Sequence, residues 1–175
     1  EYKGITPIIR SGKEIPASPA SFANPLVWGW FQGSSGASRS AGTVTTNGTA
    51  QLLHLTGYAS LNVREFGLQE RPYVIARPAL PSIAGLLFCL LYSRAGCDVG
   101  PWFAFGGRFA DSFHYRALTQ YIVTLARLHG VRAAWPRHLP RDDFAPIARW
   151  IAGRRESGVP CTLQAVASTV DGKRI

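Results

Sequence analysis

The chain has 175 residues, of which 46 % are hydrophobic, so it is long and apolar enough for one sizeable core and is not a disordered segment. A net charge of +9 allows binding to nucleic acid or to an anionic membrane. The arginines are scattered, however, and no basic recognition motif is present, so a solvated basic surface is favoured over a nucleic-acid partner. The most apolar run, residues 83–92, is shorter than the roughly 20 residues that cross a bilayer.

The three cysteines are odd in number and none forms a C-x-x-C pair, which predicts buried, reduced thiols in a cytoplasmic protein. No signal peptide is visible in the first 25 residues. The chain begins at Glu1, contains no methionine and stops just after a strand-like run. We therefore expect an internal fragment of a longer protein.

The first 25 residues carry four prolines and predict a loop-rich segment with short extended pieces. Two short strands follow, in "PLVWGWFQ" and in "GTVTTNG", the second ending in a turn at Asn47-Gly48. A glycine-serine loop separates them, so this part of the chain predicts a hairpin-like clamp around that loop.

Helical spacing begins at Thr49 and continues to Phe66, and "PYVIARP" then predicts a short buried strand. Ser82 is the predicted cap of an apolar helix that runs to about Tyr92. The next segment, "CDVGPWFAFGG", predicts a strand followed by a turn at Gly106-Gly107.

A helix over about 112–128, ending at Gly130, places five apolar residues on one stripe: Leu118, Tyr121, Ile122, Leu125 and Leu128. "VRAAW" is predicted to be a strand. The last helix starts at Asp142 or Asp143 and is predicted to turn four residues inward: Phe144, Ile147, Ala148 and Ile151. "CTLQAVAS" then predicts the final strand.

Strands that alternate with helices of this length predict an α/β fold, a layered domain with a largely parallel sheet flanked by helices. Because of the expected truncation, the domain is predicted to be incomplete. The predicted organisation is a loop-rich segment over 1–25 and one α/β unit over 26–175.

The glycine-serine loop, within "WFQGSSGASRSAGTVTTNG", has the composition of a phosphate-binding loop. Small residues let several backbone N–H groups converge on one anion, and Arg39 adds a charged donor. Neither the Walker pattern nor the dinucleotide fingerprint is present. Taken alone, the loop is compatible equally with a phosphate site and with a flexible connection.

The order of motifs around this loop resembles the adenylate-forming ligase superfamily. "SSG" at Ser34-Ser35-Gly36 opens the loop, and a later run matches the family's "P…GLL…L…G" pattern at Pro81, Gly85, Leu86, Leu87, Leu91 and Gly96. The resemblance covers about 24–168 and is greatest to the branch that contains phenylacetate–coenzyme A ligase and the acyl-protein synthetases.

The resemblance implies that ATP and Mg²⁺ are used to activate a small carboxylic acid, with release of pyrophosphate and transfer of the acyl group to a thiol or other acceptor. The loop residues carried over for phosphate binding are Ser34, Ser35, Gly36, Ser38, Arg39 and Ser40. The family's usual loop contains a lysine, which this loop lacks, so Arg39 is expected to supply the charge. The family's magnesium-supporting acid, ribose-binding aspartate and terminal-domain lysine would lie beyond Ile175, and the chain alone is expected to be inactive.

An acyl pocket is placed where a strand ends beside the glycine turn, at Phe103, Phe105, Gly106 and Gly107. The four histidines have no metal-ligand spacing, so no metal site is predicted on the chain itself. Cys161 is interpreted as a structural residue rather than a nucleophile. The alternative function is a stand-alone basic module that binds nucleotides or nucleic acid without catalysis.

Overall fold

The computed structural model describes residues 8–16, 29–34, 44–105, 113–140 and 143–165. In chain order the strands and helices are β1 (Ile8–Arg10), β2 (Lys13–Ile15), β3 (Gly29–Ser34), β4 (Val44–Gly48), α1 (Thr49–Glu65), β5 (Tyr73–Ala76), α2 (Ile83–Arg94), β6 (Val99–Phe105), α3 (Phe113–Leu128), β7 (Pro136–Leu139), α4 (Ala145–Glu156) and β8 (Thr162–Ala165).

The central sheet has four strands in the order β7-β6-β5-β8, and every pair of neighbours is parallel. Each connection within this sheet passes through a helix, as parallel strands require. The sequence prediction of a layered α/β domain with a parallel sheet is therefore confirmed. Two antiparallel hairpins, β1–β2 and β3–β4, precede this unit along the chain.

Alternate residues of the sheet bury their side chains on opposite faces. Ile75 and Trp102 belong to a core cluster that includes residues of α1, α2 and α3. Val74 and Phe103 belong to a second cluster, formed with α4 and β8. All four residues of β5 are buried, because β5 is a central strand covered by helices on both faces.

Helix α1 was predicted correctly and follows β4 without an intervening turn, since Gly48 is its N-cap. Helix α2 begins next to Ser82, as predicted, but the Ser82 side chain makes no capping hydrogen bond. The capping role given to Ser82 was therefore wrong, although the start of the helix was right. None of the helices in the described ranges is both long and apolar enough to cross a membrane.

The stripe predicted on α3 faces mostly outward. Thr119 and Val123 are the fully buried residues of this helix, whereas Leu118, Tyr121 and Leu128 are exposed. Thr119 is suited to burial because its hydroxyl donates to the Tyr115 carbonyl at 2.8 Å, which satisfies the polar group locally.

The segment 131–135, "VRAAW", is not a strand, and β7 begins only at Pro136. Three successive carbonyls of this segment accept hydrogen bonds from side chains: Arg132 from Ser93, Ala133 from Arg127, and Ala134 from the Cys89 thiol. Side chains therefore take the acceptors that a strand would offer to its neighbour. The prediction failed because these donors lie on α2 and α3.

Helix α4 begins at Ala145, two residues later than the later of the two predicted starts. The Asp143 carboxylate accepts from the Ala145 N–H at 3.3 Å, so this aspartate does serve the helix end. Phe144 and Ile147 are buried as predicted, but Ala148 is exposed and its predicted inward position was wrong. Gly158, with φ of 66°, follows the end of the helix.

Candidate functional site

The parallel sheet reverses its strand order between β5 and β8. Numbered along the chain, its strands lie in the order 3-2-1-4, so the first and the last strand are neighbours. Helices α2 and α3 cover one face, whereas α4 covers the other. In open α/β sheets, ligands bind outside the carboxyl ends of the strands where the order reverses. Here that position lies beyond Ala76 and Ala165, which pair in register.

Arg77 is the first residue after β5 and lies at this switch point. Its Nη2 group donates to the Ala165 carbonyl at 3.2 Å, and its guanidinium carbon lies 4.5 Å from the centre of the Phe88 ring. Partial burial lowers the pKa of Arg77 from its ordinary value, because the charged form loses hydration. Its Nε–H is buried and has no hydrogen-bond partner within the described residues.

The cation of Arg77 has no carboxylate partner in the described part of the chain, where one ion pair is present, between Arg64 and Glu65. A half-buried guanidinium without a counter-ion is costly, and an anion that pairs with it would recover part of that cost. The carboxyl edge of the sheet therefore has the electrostatics of an anion site.

The loop after β5 is held close to the sheet by two hydrogen bonds. The indole N–H of the buried Trp102 donates to the Arg77 carbonyl at 3.0 Å, and the Gly85 N–H donates to the Pro78 carbonyl at 3.2 Å. A Cβ on Gly85 would overlap the Pro78 oxygen and lie 2.8 Å from the Trp102 ring. Only glycine fits there, so the loop that carries Arg77 is fixed by this close approach.

The predicted phosphate loop joins β3 to β4. These two strands pair antiparallel, and Ser34 lies opposite Val44, so residues 35–43 connect two paired strand ends. The hairpin prediction is confirmed. Of the predicted phosphate-binding residues, the structure places Ser34, as the last residue of β3. The others, Ser35, Gly36, Ser38, Arg39 and Ser40, lie outside the described residues, and their role stays a prediction.

The predicted acyl-pocket residues Phe103 and Phe105 lie near the carboxyl end of β6, 2 % and 7 % exposed. Both pack in the core cluster beneath α4, where the Phe105 ring meets Phe144 edge-on. Gly106 and Gly107 lie outside the described residues. The structure thus places the two phenylalanines side by side on one face, and their contact with a substrate stays a prediction.

The buried thiols are held in their neutral form. Burial raises the pKa of Cys89 to about 11 and that of Cys97 to about 11, so neither is a thiolate at neutral pH. Burial and the stacked Tyr92 ring also raise the pKa of Tyr73. Cys161 is only partly buried and is the first residue before β8. All three cysteines are free.

Sequence reasoning missed a second concentration of polar side chains, at the amino edge of the sheet. A pocket of about 420 Å³ is lined there by four arginines and two tryptophans: Arg127, Arg132, Arg137, Arg154, Trp135 and Trp150. They come from the end of α3, the segment before β7, the start of β7, and α4. The arginines appear scattered in the sequence because they meet only when these four elements pack together.

Comparisons with known proteins identify no relative. No family model matches the chain, and neither the curated proteins nor the solved structures contain a match.

Proposed function

We propose that this chain forms part of an ATP-dependent, adenylate-forming ligase that activates a small carboxylic acid and passes the acyl group to a thiol or another acceptor. The observation that carries the proposal is the β3–β4 hairpin. Its register makes residues 35–43 one nine-residue connection between paired strands, and this connection contains the small residues and the single arginine of the predicted phosphate loop.

The switch point of the parallel sheet gives independent support for an anionic substrate. Arg77 brings one half-buried positive charge to the edge where α/β sheets bind their ligands, and its Nη2 group lies beside the Ala165 carbonyl at that edge. A carboxylate or a phosphate group suits a guanidinium better than a neutral group does, because the hydrogen bonds are charge-assisted. The carboxyl edge thus fits an anionic substrate.

The Mg²⁺ ion that the resemblance implies would need its own ligands. Within the described residues, no three His, Cys, Asp or Glu side chains lie close enough together to hold a metal ion. The described part of the chain therefore supplies no site with three protein ligands, and Mg²⁺ bound with ATP usually needs only one or two carboxylates beside the phosphates.

The work assigned to this chain is positioning and charge neutralisation. ATP, when bound, supplies the adenylyl group that activates the carboxylate. Backbone N–H groups of the loop and the Arg39 guanidinium would hold the β- and γ-phosphates in line for displacement, which lowers the barrier without covalent chemistry by the protein. The free cysteines favour a reducing compartment, and we place the enzyme in the cytoplasm.

The test of this proposal is ATP binding by the chain, measured by isothermal titration calorimetry. Arg39→Ala should weaken ATP binding by about tenfold, since one charge-assisted contact to phosphate is lost. Arg10→Ala is the matched control, because Arg10 is an exposed arginine on β1 and its loss should leave ATP binding unchanged.

A second assay follows the chemistry in the longest natural polypeptide that contains this chain. Carboxylate-dependent exchange of pyrophosphate into ATP should fall in the Arg39→Ala variant while the protein stays folded. Unchanged exchange and unchanged ATP binding would remove the role assigned to Arg39.

The second candidate function is a stand-alone basic module that binds nucleotides or nucleic acid without catalysis. The four arginines at the amino-edge pocket favour it. This function predicts tight binding of nucleic acid by the chain itself, with an affinity that falls steeply as salt rises. Weak binding at about 0.15 M salt would dispose of it.

A further inference from the structure

The amino-edge pocket lies opposite the edge that carries Arg77. The starts of β6 and β7 line it, whereas Arg77 follows the end of β5. Parallel strands all start at one edge of a sheet and end at the other, so this pocket is a separate location. Its volume of about 420 Å³ is within the range of small-molecule sites in proteins.

Among the described residues that line this pocket there are four arginines and no aspartate or glutamate. Arg127 and Arg154 lie over the two indole rings, 5.7 Å and 5.1 Å from the ring centres of Trp135 and Trp150. Four like charges around one concave surface raise its positive potential and attract an anion.

Arg132 and Arg137 are the two pocket arginines for which the described residues show no contact with an indole ring. Both are exposed, and neither side chain makes a hydrogen bond or an ion pair within the described part of the chain. The Arg127 side chain, by contrast, donates to the Ala133 carbonyl at 2.8 Å. Two of the four arginines are therefore placed by aromatic rings, and the other two can turn their guanidinium groups toward a ligand.

The backbone that carries these donors is fixed. The carbonyls of Arg132, Ala133 and Ala134 accept hydrogen bonds from Ser93, Arg127 and Cys89. Because α2 and α3 both hold this segment, a ligand at the pocket would not have to order it.

An aromatic surface is exposed beside the charges. Trp135 is 46 % exposed, whereas Trp102 in the same domain is completely buried. An exposed indole among guanidinium groups is the combination that binds nucleotides, since a base stacks on the ring while the cations hold the phosphate. An acidic peptide would satisfy the arginines but gives no reason for the indole.

We propose that the amino-edge pocket binds a nucleotide, with its phosphate on Arg132 and Arg137 and its base against Trp135. The nucleotide is either free or one unit of a single strand of nucleic acid, because both present the same phosphate and base. This site is separate from the loop that contains Arg39 and does not rest on the ligase function; it deepens the second candidate function by naming the ligand and the residues that contact it.

The experiment measures binding of AMP to the chain by titration calorimetry, in the Arg39→Ala background, where the predicted phosphate loop should bind a nucleotide about tenfold more weakly. The double variant Arg132→Gln/Arg137→Gln should weaken AMP binding by at least about tenfold. The control Arg64→Gln/Arg71→Gln removes the same charge from exposed arginines outside the pocket and should leave the affinity within about twofold.

Trp135→Leu tests the stacking contact. It should weaken AMP about tenfold while leaving the weaker binding of inorganic phosphate unchanged. The side chains substituted on this background are all exposed, namely those of Arg64, Arg71, Arg132, Trp135 and Arg137, so these substitutions should not prevent folding, and circular dichroism checks this.

A short oligodeoxyadenylate and a short polyglutamate peptide complete the set of probes. Tighter binding of the oligonucleotide than of AMP supports the site and assigns it to a nucleic-acid strand, whereas equal affinity assigns it to a free nucleotide. The proposal is overturned if AMP does not bind, if the control double variant loses as much affinity, or if polyglutamate binds as tightly and Trp135→Leu has no effect.

Discussion

The two edges of the parallel sheet use arginine in different ways. At the carboxyl edge, within the described ranges, the guanidinium of Arg77 is half-buried between β8 and the Phe88 ring, on a loop fixed by Trp102 and Gly85. At the amino edge four arginines surround an open pocket. A buried cation costs hydration and is restricted to one position, whereas an exposed cluster attracts anions over a distance at little cost in stability. The buried arginine is therefore suited to holding an anion in one position, whereas the exposed cluster is suited to attracting anions from solution.

The largest expected effect comes from breaking the close approach at the carboxyl edge. Gly85→Ala places a methyl group against the Pro78 oxygen and the Trp102 ring, so the free energy of unfolding should fall by about 3 kcal/mol. Urea denaturation followed by circular dichroism measures it. The matched control is Gly153→Ala in α4, where no atom lies within 4 Å and the helix should gain up to about 1 kcal/mol. Equal effects at the two glycines would contradict the packing assigned to Gly85.

The second effect concerns Cys89, whose thiol lies 3.7 Å from the Ala134 carbonyl of the amino-edge segment. Folding raises the pKa of Cys89 from 9.0 to about 11, so above pH 9 the unfolded thiol loses its proton first. The contribution of this thiol to the free energy of unfolding is fully present below pH 9. It is lost as the pH rises toward about 11, and the free energy of unfolding should fall by about 2 to 3 kcal/mol over this interval.

Unfolding measured at several pH values in Cys89→Ala should show a shallower decline than in the wild type over the same interval. The pKa of Tyr73 is also raised in the folded protein, and its effect on the pH dependence of stability should be the same in both proteins. If the two slopes are the same, the buried Cys89 thiol does not control stability in this range.

The smallest expected effect is that of Arg77→Gln on stability, less than about 1 kcal/mol. The variant loses the Ala165 hydrogen bond and the contact with Phe88, but it also removes the cost of burying a charge. ATP binding should nevertheless weaken, because the variant lacks the cation at the switch point. Arg71→Gln, at an exposed position, is the control. A loss of stability of about 3 kcal/mol with unchanged ATP binding would make Arg77 a structural residue only.

The sequence predicted most of the fold because most elements have strong local signals. Helix α1 has regular apolar spacing, β5 is bounded by prolines, and Gly130 and Gly158 adopt the left-handed conformation expected after a helix. The errors arose where a distant partner decides the structure. The segment 131–135 has the composition of a strand, but side chains from α2 and α3 take its carbonyls.

Less of the candidate site than of the fold could be predicted from the sequence. The hairpin around residues 35–43 was predictable from composition and turns, and its register confirms that part. The importance of Arg77 depends on β8 lying next to β5, which no local pattern indicates. The amino-edge pocket depends on four elements that are separate in the sequence, and Arg132 and Arg137 come together with Arg154 only after the sheet and α4 have packed.

The pairing of the first strand of the sheet with the last also affects how the protein is made. Arg77 and Ala165, which bond across this pair, are 88 residues apart in the chain. During synthesis, β5 emerges long before β8, and the backbone N–H and C=O groups on one edge of this buried strand stay unpaired until residue 165 has left the ribosome. Such an edge pairs readily with other chains, so the yield of folded protein should depend on how quickly translation reaches β8.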